Sequence, residues 1–138
     1  MLAIAALTEA PLSLDAHVAA VAGPRAGAIA TFLGTVRDHD PSVEGEVVGL
    51  DYSAHPTAGE TLAAIAARFD TADLAIAVTH RVGSLAVGEA AIVAAVSAPH
   101  RREALDTVSA LVEAVKAELP VWKREMLADG SHTWVGIA

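Results

Sequence analysis

A chain of 138 residues without cysteine has room for one well-packed domain, and it excludes disulfides, thiolate metal sites and a cysteine nucleophile. The apolar content of 54% owes much to alanine, and charges such as Asp73 and Glu89 interrupt every run before it reaches the roughly 18 residues of a membrane span. A net charge of -8 argues against a general nucleic-acid binder, which needs a basic face, and makes the nine lysines and arginines the residues to follow.

Met1 to Ala10 is apolar but has neither a basic start nor a clear cleavage site, so a secretory signal is not expected and the mature chain is taken to begin here. Ser13 or Asp15 caps a short helix carrying Val18 and Val21, which Gly23-Pro24 stops. From Gly27 to Val36 the sequence GAIATFLGTV has no helical polar face and reads as a largely buried strand. Arg37 to Gly45 is polar and turn-rich, a loop, and Val47 to Ser53 is a second strand. Thr57 is placed to cap a helix whose Leu62, Ile65, Ala66 and Phe69 recur on one face. Leu74 to Arg81 and Ala91 to Ser97 pair as a hairpin around a turn bracketed by Gly83 and Gly88.

Pro99 suits the start of the longest helix, where Leu105, Val108, Leu111, Val112 and Val115 form the expected apolar stripe, and Pro120 ends it. Val121 to Met126 and Thr133 to Ile137 are strands joined at Asp129-Gly130, with Trp122 and Trp134 as core or interface anchors. Hairpins stand where a doubly wound fold would need crossovers. The pattern predicts α+β, a single domain over residues 1–138, with a largely antiparallel sheet and helices packed on it.

Cations lie at element ends: Arg37 after the first strand, His100-Arg101-Arg102 at a helix start, and Lys116 with Lys123-Arg124 around that helix's end. Brought together, such residues make a pocket for phosphate or carboxylate, aided by free amides at the helix start. Each also has a plain structural role: Arg37 as a solvated loop charge, Lys116 as a cation facing the negative end of the helix dipole, Lys123 as a charge guarding an edge strand. The dispersed histidines form no ligand pair, so no metal is expected; His55 and His80 read as packing or surface residues. No Walker loop, dinucleotide fingerprint or nucleophile elbow appears.

Four segments in order, GAIATFLGTVRDHD, LDYSAHP, HRVGSLAVGE with SAPHRREAL, and KAELPVWKRE, resemble the molybdopterin synthase catalytic (large) subunit family. The resemblance runs from about Gly27 to Trp134, and its last block is the most specific. It implies a hammerhead-like α+β fold and a sulfurtransferase of molybdenum cofactor biosynthesis in the cytoplasm, with no cofactor. The implied partner is a small ubiquitin-like sulfur carrier whose C-terminal Gly-Gly thiocarboxylate supplies sulfur to cyclic pyranopterin monophosphate. A homodimer within a heterotetramer is the implied assembly. Lys116 and Lys123 would be catalytic, and Thr35, Val36, Arg37, His100, Arg101, Arg124 and Glu125 would bind substrate. Ala58 stands where relatives often carry a bulky residue, and no basic tail precedes Ala138. The alternative function is a non-catalytic dimer that binds a phosphorylated metabolite.

Overall fold

The computed structural model describes residues 1–137; the expectation about the chain end at Ala138 lies outside them. In chain order the elements are β1 (Leu2–Thr8), α1 (Leu14–Val21), β2 (Ala28–Thr35), β3 (Val47–Ala54), α2 (Ala58–Ala67) and β4 (Ala75–Arg81). They continue with β5 (Gly83–Ala86), β6 (Ala90–Ala98), α3 (Arg101–Glu118), β7 (Val121–Leu127) and β8 (His132–Ile137). The strands form two sheets of four, ordered β1-β4-β6-β2 and β5-β3-β7-β8. All pairings are antiparallel except β1 with β4, so the expected α+β class with a largely antiparallel sheet holds. Among the described residues no helix is long and apolar enough to cross a membrane.

Alternation along the central strands explains how the first sheet is covered on both faces. Ile76, Val78, Ala94 and Val96 point into the main core with Leu62, Ile65, Leu111 and Val115 of α2 and α3. Ala77 and Ala95, the intervening residues, meet Val21 of α1 on the other side. Their methyl groups let that short helix sit close to the sheet, while the larger side chains fill the deeper layer under α3. Full burial of each Val or Leu contributes about 1.5–3 kcal/mol. One polar pin crosses the thinner layer: the His17 ring bonds the Ser13 carbonyl through Nδ1 at 2.6 Å and the Thr79 hydroxyl through Nε2 at 2.7 Å.

Several local expectations change. β1 was not foreseen as a strand, and it occupies one edge of the first sheet. The segment after Gly83 forms β5 and joins the second sheet on β3, although β4 and β6 do pair as expected. Gly83 has φ +90°, a conformation that lets the chain leave one sheet and enter the other. In α3 the buried stripe is Ala104, Val108, Leu111, Val112 and Val115, while Leu105 is 57% exposed. Ser13 caps α1 by accepting a bond from Ala16 N, whereas Thr57 makes no side-chain cap bond to α2. β7 is an interior strand between β3 and β8, so Lys123 does not guard an edge. Trp122 and Trp134 are both exposed rather than core.

Candidate active site

The two sheets and the end of α3 enclose a cavity of about 200 Å³. Strand parity builds one wall. Leu50 and Tyr52 of β3 are the pairing partners of Glu125 and Lys123 of β7, so these four side chains share one face of the second sheet. Arg124, one residue out of phase, faces the other way, where its guanidinium pairs with Asp51 at 2.6 Å and lies 5.5 Å from the Trp134 ring centroid.

The second wall comes from the end of β2. Val36 donates to the Glu89 carbonyl at 2.9 Å and accepts from Gly88 N at 2.7 Å, which holds the chain against the turn before β6 and sets Arg37 at the cavity rim. Gly34 belongs here for a steric reason: a Cβ at that position would come within 2.6 Å of Ile92 Cγ2. Beyond Arg37 the loop turns back through Asp40, whose Oδ1 accepts from Ser42 N at 2.8 Å and Ser42 Oγ at 2.7 Å. Pro120 stops α3 so that Lys116 in its last turn and Lys123 on the following strand both border the same space.

Of the residues singled out from the sequence, Thr35, Val36, Arg37, Lys116, Lys123 and Glu125 line this cavity. His100 and Arg101 do not, because they sit at the opposite end of α3, 15 residues from Lys116 and thus roughly 22 Å along the axis. Arg124 is excluded by strand parity. His39, Asp40, Tyr52 and His80 also line the cavity and were not expected to. For Asp40 and Tyr52 the signal was available: one lies in the loop after Arg37, the other two residues from Leu50 on the inward side of β3. His80 gave no such signal, since its partners come from distant segments. Among the described residues no group of three or more acidic or histidine side chains is arranged to hold a metal.

Electrostatically, the cavity concentrates charge in a way the acidic chain as a whole does not. Arg37, Lys116 and Lys123 face Asp40 and Glu125. Glu125 is only 2% exposed, and burial, reinforced by the neighbouring Asp40 carboxylate, raises its pKa to about 7 against the pull of Lys123 and Arg37. Its contact with Lys123 is long, 3.9 Å, and Oε2 has no donor among the described residues. Asp40, hydrogen-bonded by Glu125 and Ser42, is held far below the usual carboxylate range. The two acids therefore act as a coupled pair that gives up its last proton only around neutrality. Lys116 is lowered, first by burial and then by repulsion from Lys123 and Arg37, with Glu113 opposing. Much of Lys116 remains open to solvent, so it stays a cation that yields its proton more readily than an ordinary lysine.

A raised carboxyl has a definite sign in stability. Between its unfolded value and about 7 the folded protein keeps a proton that the unfolded chain has lost, so Glu125 stabilises at low pH and that contribution is lost as pH rises through 7. Glu125→Gln, neutral at every pH, is expected to become more stable relative to the parent as pH rises from 5 to 8. Thermal melts of both proteins across that range check it; parallel curves would show that Glu125 is ionised throughout.

The model of the MoaE protein family matches residues 7–118. The chain belongs to the MoaE family. Molybdopterin synthase catalytic subunit 1 of Mycobacterium tuberculosis is 44% identical over 133 residues, covering 94% of this chain and 88% of that protein. The catalytic subunit of Bacillus subtilis is 38% identical, with 94% and 83% covered. Among solved structures, molybdopterin synthase of Staphylococcus aureus superposes with a TM-score of 0.86 at 27% identity, over 99% of this chain and 98% of that one. The MoaE match spans Arg37 and Lys116, and the longer alignments to the curated relatives cover nearly the whole chain.

Proposed function

We propose that this MoaE chain is the catalytic subunit of molybdopterin synthase, working as a sulfurtransferase in molybdenum cofactor biosynthesis. The single observation that carries the reading is the convergence of Arg37, Lys116 and Lys123 on one cavity in a chain with eight more negative than positive charges. Both lysines of the chain border that cavity. The proposed substrate is cyclic pyranopterin monophosphate, and the sulfur donor is the C-terminal thiocarboxylate of a small ubiquitin-like partner. A donor from outside fits a chain that has no cysteine of its own.

In this reading Arg37 holds the phosphate, since a guanidinium fork pairs with two of its oxygens, and the backbone at Thr35 and Val36 positions the substrate beside it. The thiocarboxylate sulfur bonds to a side-chain carbon of the pterin as a C–O bond to that carbon breaks, its oxygen leaving as water or with the phosphate. Hydrolysis of the resulting thioester keeps the sulfur on the pterin and returns the donor as a carboxylate, and a second donor repeats the two steps at the neighbouring carbon. Both stages develop negative charge, which the ammonium of Lys123 stabilises, and Lys116, with its lowered pKa, is the better placed of the two to exchange a proton. Below a pH of about 7 Glu125 is mostly protonated and offers a hydrogen-bond donor rather than a repelling charge to an anionic substrate. Arg124 acts one step removed, by fixing the register of the strand that carries Lys123 and Glu125. His100 and Arg101 are assigned to the site of a second copy, because α3 separates them from Lys116 of their own chain. This makes a homodimer, with two donor subunits completing a cytoplasmic heterotetramer, the functional unit.

Mixing the protein with a thiocarboxylated small subunit and cyclic pyranopterin monophosphate is expected to yield molybdopterin, read as its fluorescent oxidation product. Absence of product from folded, partner-bound protein would favour the non-catalytic dimer that binds a phosphorylated metabolite.

A further inference from the structure

His80 is 6% exposed at the end of β4, an interior strand, and it borders both the main cavity and a small void of about 10 Å³ that it shares with Lys116, Val115, Leu119, Val121 and Ile92. Its Nδ1 lies 2.7 Å from the Arg81 carbonyl. A carbonyl only accepts, so Nδ1 carries the hydrogen. Burial and the nearby Lys116 charge oppose a second proton, and the ring is neutral with a lone pair on Nε2. Tyr52 fixes the ring plane from one side, edge-on at 5.0 Å between centroids and 76° between planes. Among the described residues Nε2 has no hydrogen-bond partner. The polar ring is thus oriented at both ends, by a carbonyl and an aromatic edge, and its one free acceptor belongs to the space that Lys116 borders.

We propose that His80 is a positioning residue for Lys116: its Nε2 accepts one hydrogen of the ammonium, aiming the remaining two into the cavity. The two residues border the same small void as well as the main cavity, which puts the ring and the lysine side by side. A neutral acceptor suits the task. It directs a lysine that already shares the cavity with Lys123 and Arg37 without cancelling the charge that an anionic ligand needs, as a carboxylate in its place would.

The inference rests on the proposed site but its test does not need turnover. The chain has two lysines, so a sample labelled with 13C at the lysine ε carbon gives two side-chain signals, assigned with Lys123→Arg. The charged groups that act on Lys116 are Lys123, Arg37 and Glu113, with Glu125 across the cavity, and all of them are retained in the parent and in both His80 variants. Losing an acceptor for the charged form lowers a lysine pKa. His80→Asn keeps an amide near the Arg81 carbonyl but is too short to reach Lys116; His80→Gln extends an acceptor to the Nε2 position. Lys116 is expected to titrate at lower pH in His80→Asn and to return toward the parent value in His80→Gln, while the Lys123 signal moves little. In the sulfur-transfer assay kcat is expected to fall about tenfold in His80→Asn with KM little changed, and to recover in His80→Gln. An unchanged Lys116 titration in folded His80→Asn overturns the proposal, as does an equal loss in the two variants. A failed parent assay with the expected titrations would count against the sulfur-transfer reading alone.

Discussion

Lys123→Ala is expected to leave the fold intact and to lower product formation by about 10²–10³-fold, the usual effect of deleting a donor aimed at developing negative charge. The fold is spared because the side chain is partly exposed and its one ionic contact among the described residues, to Glu125, is long at 3.9 Å. β7 keeps its backbone pairing to β3 and β8 in the variant. Two neighbours both titrate at higher pH. Lys116, freed of a repelling charge, titrates at higher pH, and Glu125, losing an attracting one, becomes still harder to ionise. Lys123→Arg retains the charge while changing its reach and geometry, so it should fall between the parent and the alanine variant. Measuring turnover beside a thermal melt separates chemistry from folding; normal turnover in folded Lys123→Ala would remove Lys123 from the mechanism.

Leu111→Ala is expected to act in the reverse manner, on stability first. Leu111 is fully buried at the centre of α3, against the face of the first sheet formed by residues such as Val78 and Val96. Deleting a leucine side chain there removes its transfer energy and leaves a cavity, a loss of about 2–5 kcal/mol. For a chain of this size that corresponds to a fall in Tm of roughly 10 °C. Chemical denaturation should show a lower midpoint with an unchanged slope. A loss under about 1 kcal/mol would mean that α3 is not seated on the sheet at this point. The effect on catalysis follows from position: α3 carries Lys116 at one end and His100 and Arg101 at the other.

The sequence disclosed the α+β class and most element positions because their signals are local. Pro120 ends α3 and Ser13 caps α1 within a few residues of where each acts. Alternation along Val121 to Met126 sets Lys123 and Glu125 on one face and Arg124 on the other, yet the resemblance groups all three; the fold keeps the parity. What stayed hidden depends on distant partners. β1 carries the weakly patterned segment LAIAALT, and its pairing strand begins some seventy residues later. The stripe of α3 was misplaced at Leu105 because the inward residue, Ala104, is small enough to pass for a neutral position. His80 reaches the cavity only when β4, β3 and α3 are assembled around it.

The order β1-β4-β6-β2 also has a consequence for the chain as it is made. β2 has β6 as its sheet neighbour and β1 has β4, so both early strands wait on later ones. At about 5–20 residues per second, a ribosome needs roughly 5–20 seconds to reach Ala98, and until then β2 has no mate in the first sheet. During that interval Phe32, Leu33 and their neighbours form an unpaired apolar segment on the nascent polypeptide, a target for a holdase or for another unfinished copy on the same messenger. Emergence of β6 ends the exposure by pairing β2 and β4 at once, so a pause in translation before β6 has left the ribosome would lengthen the vulnerable period and a later one would not.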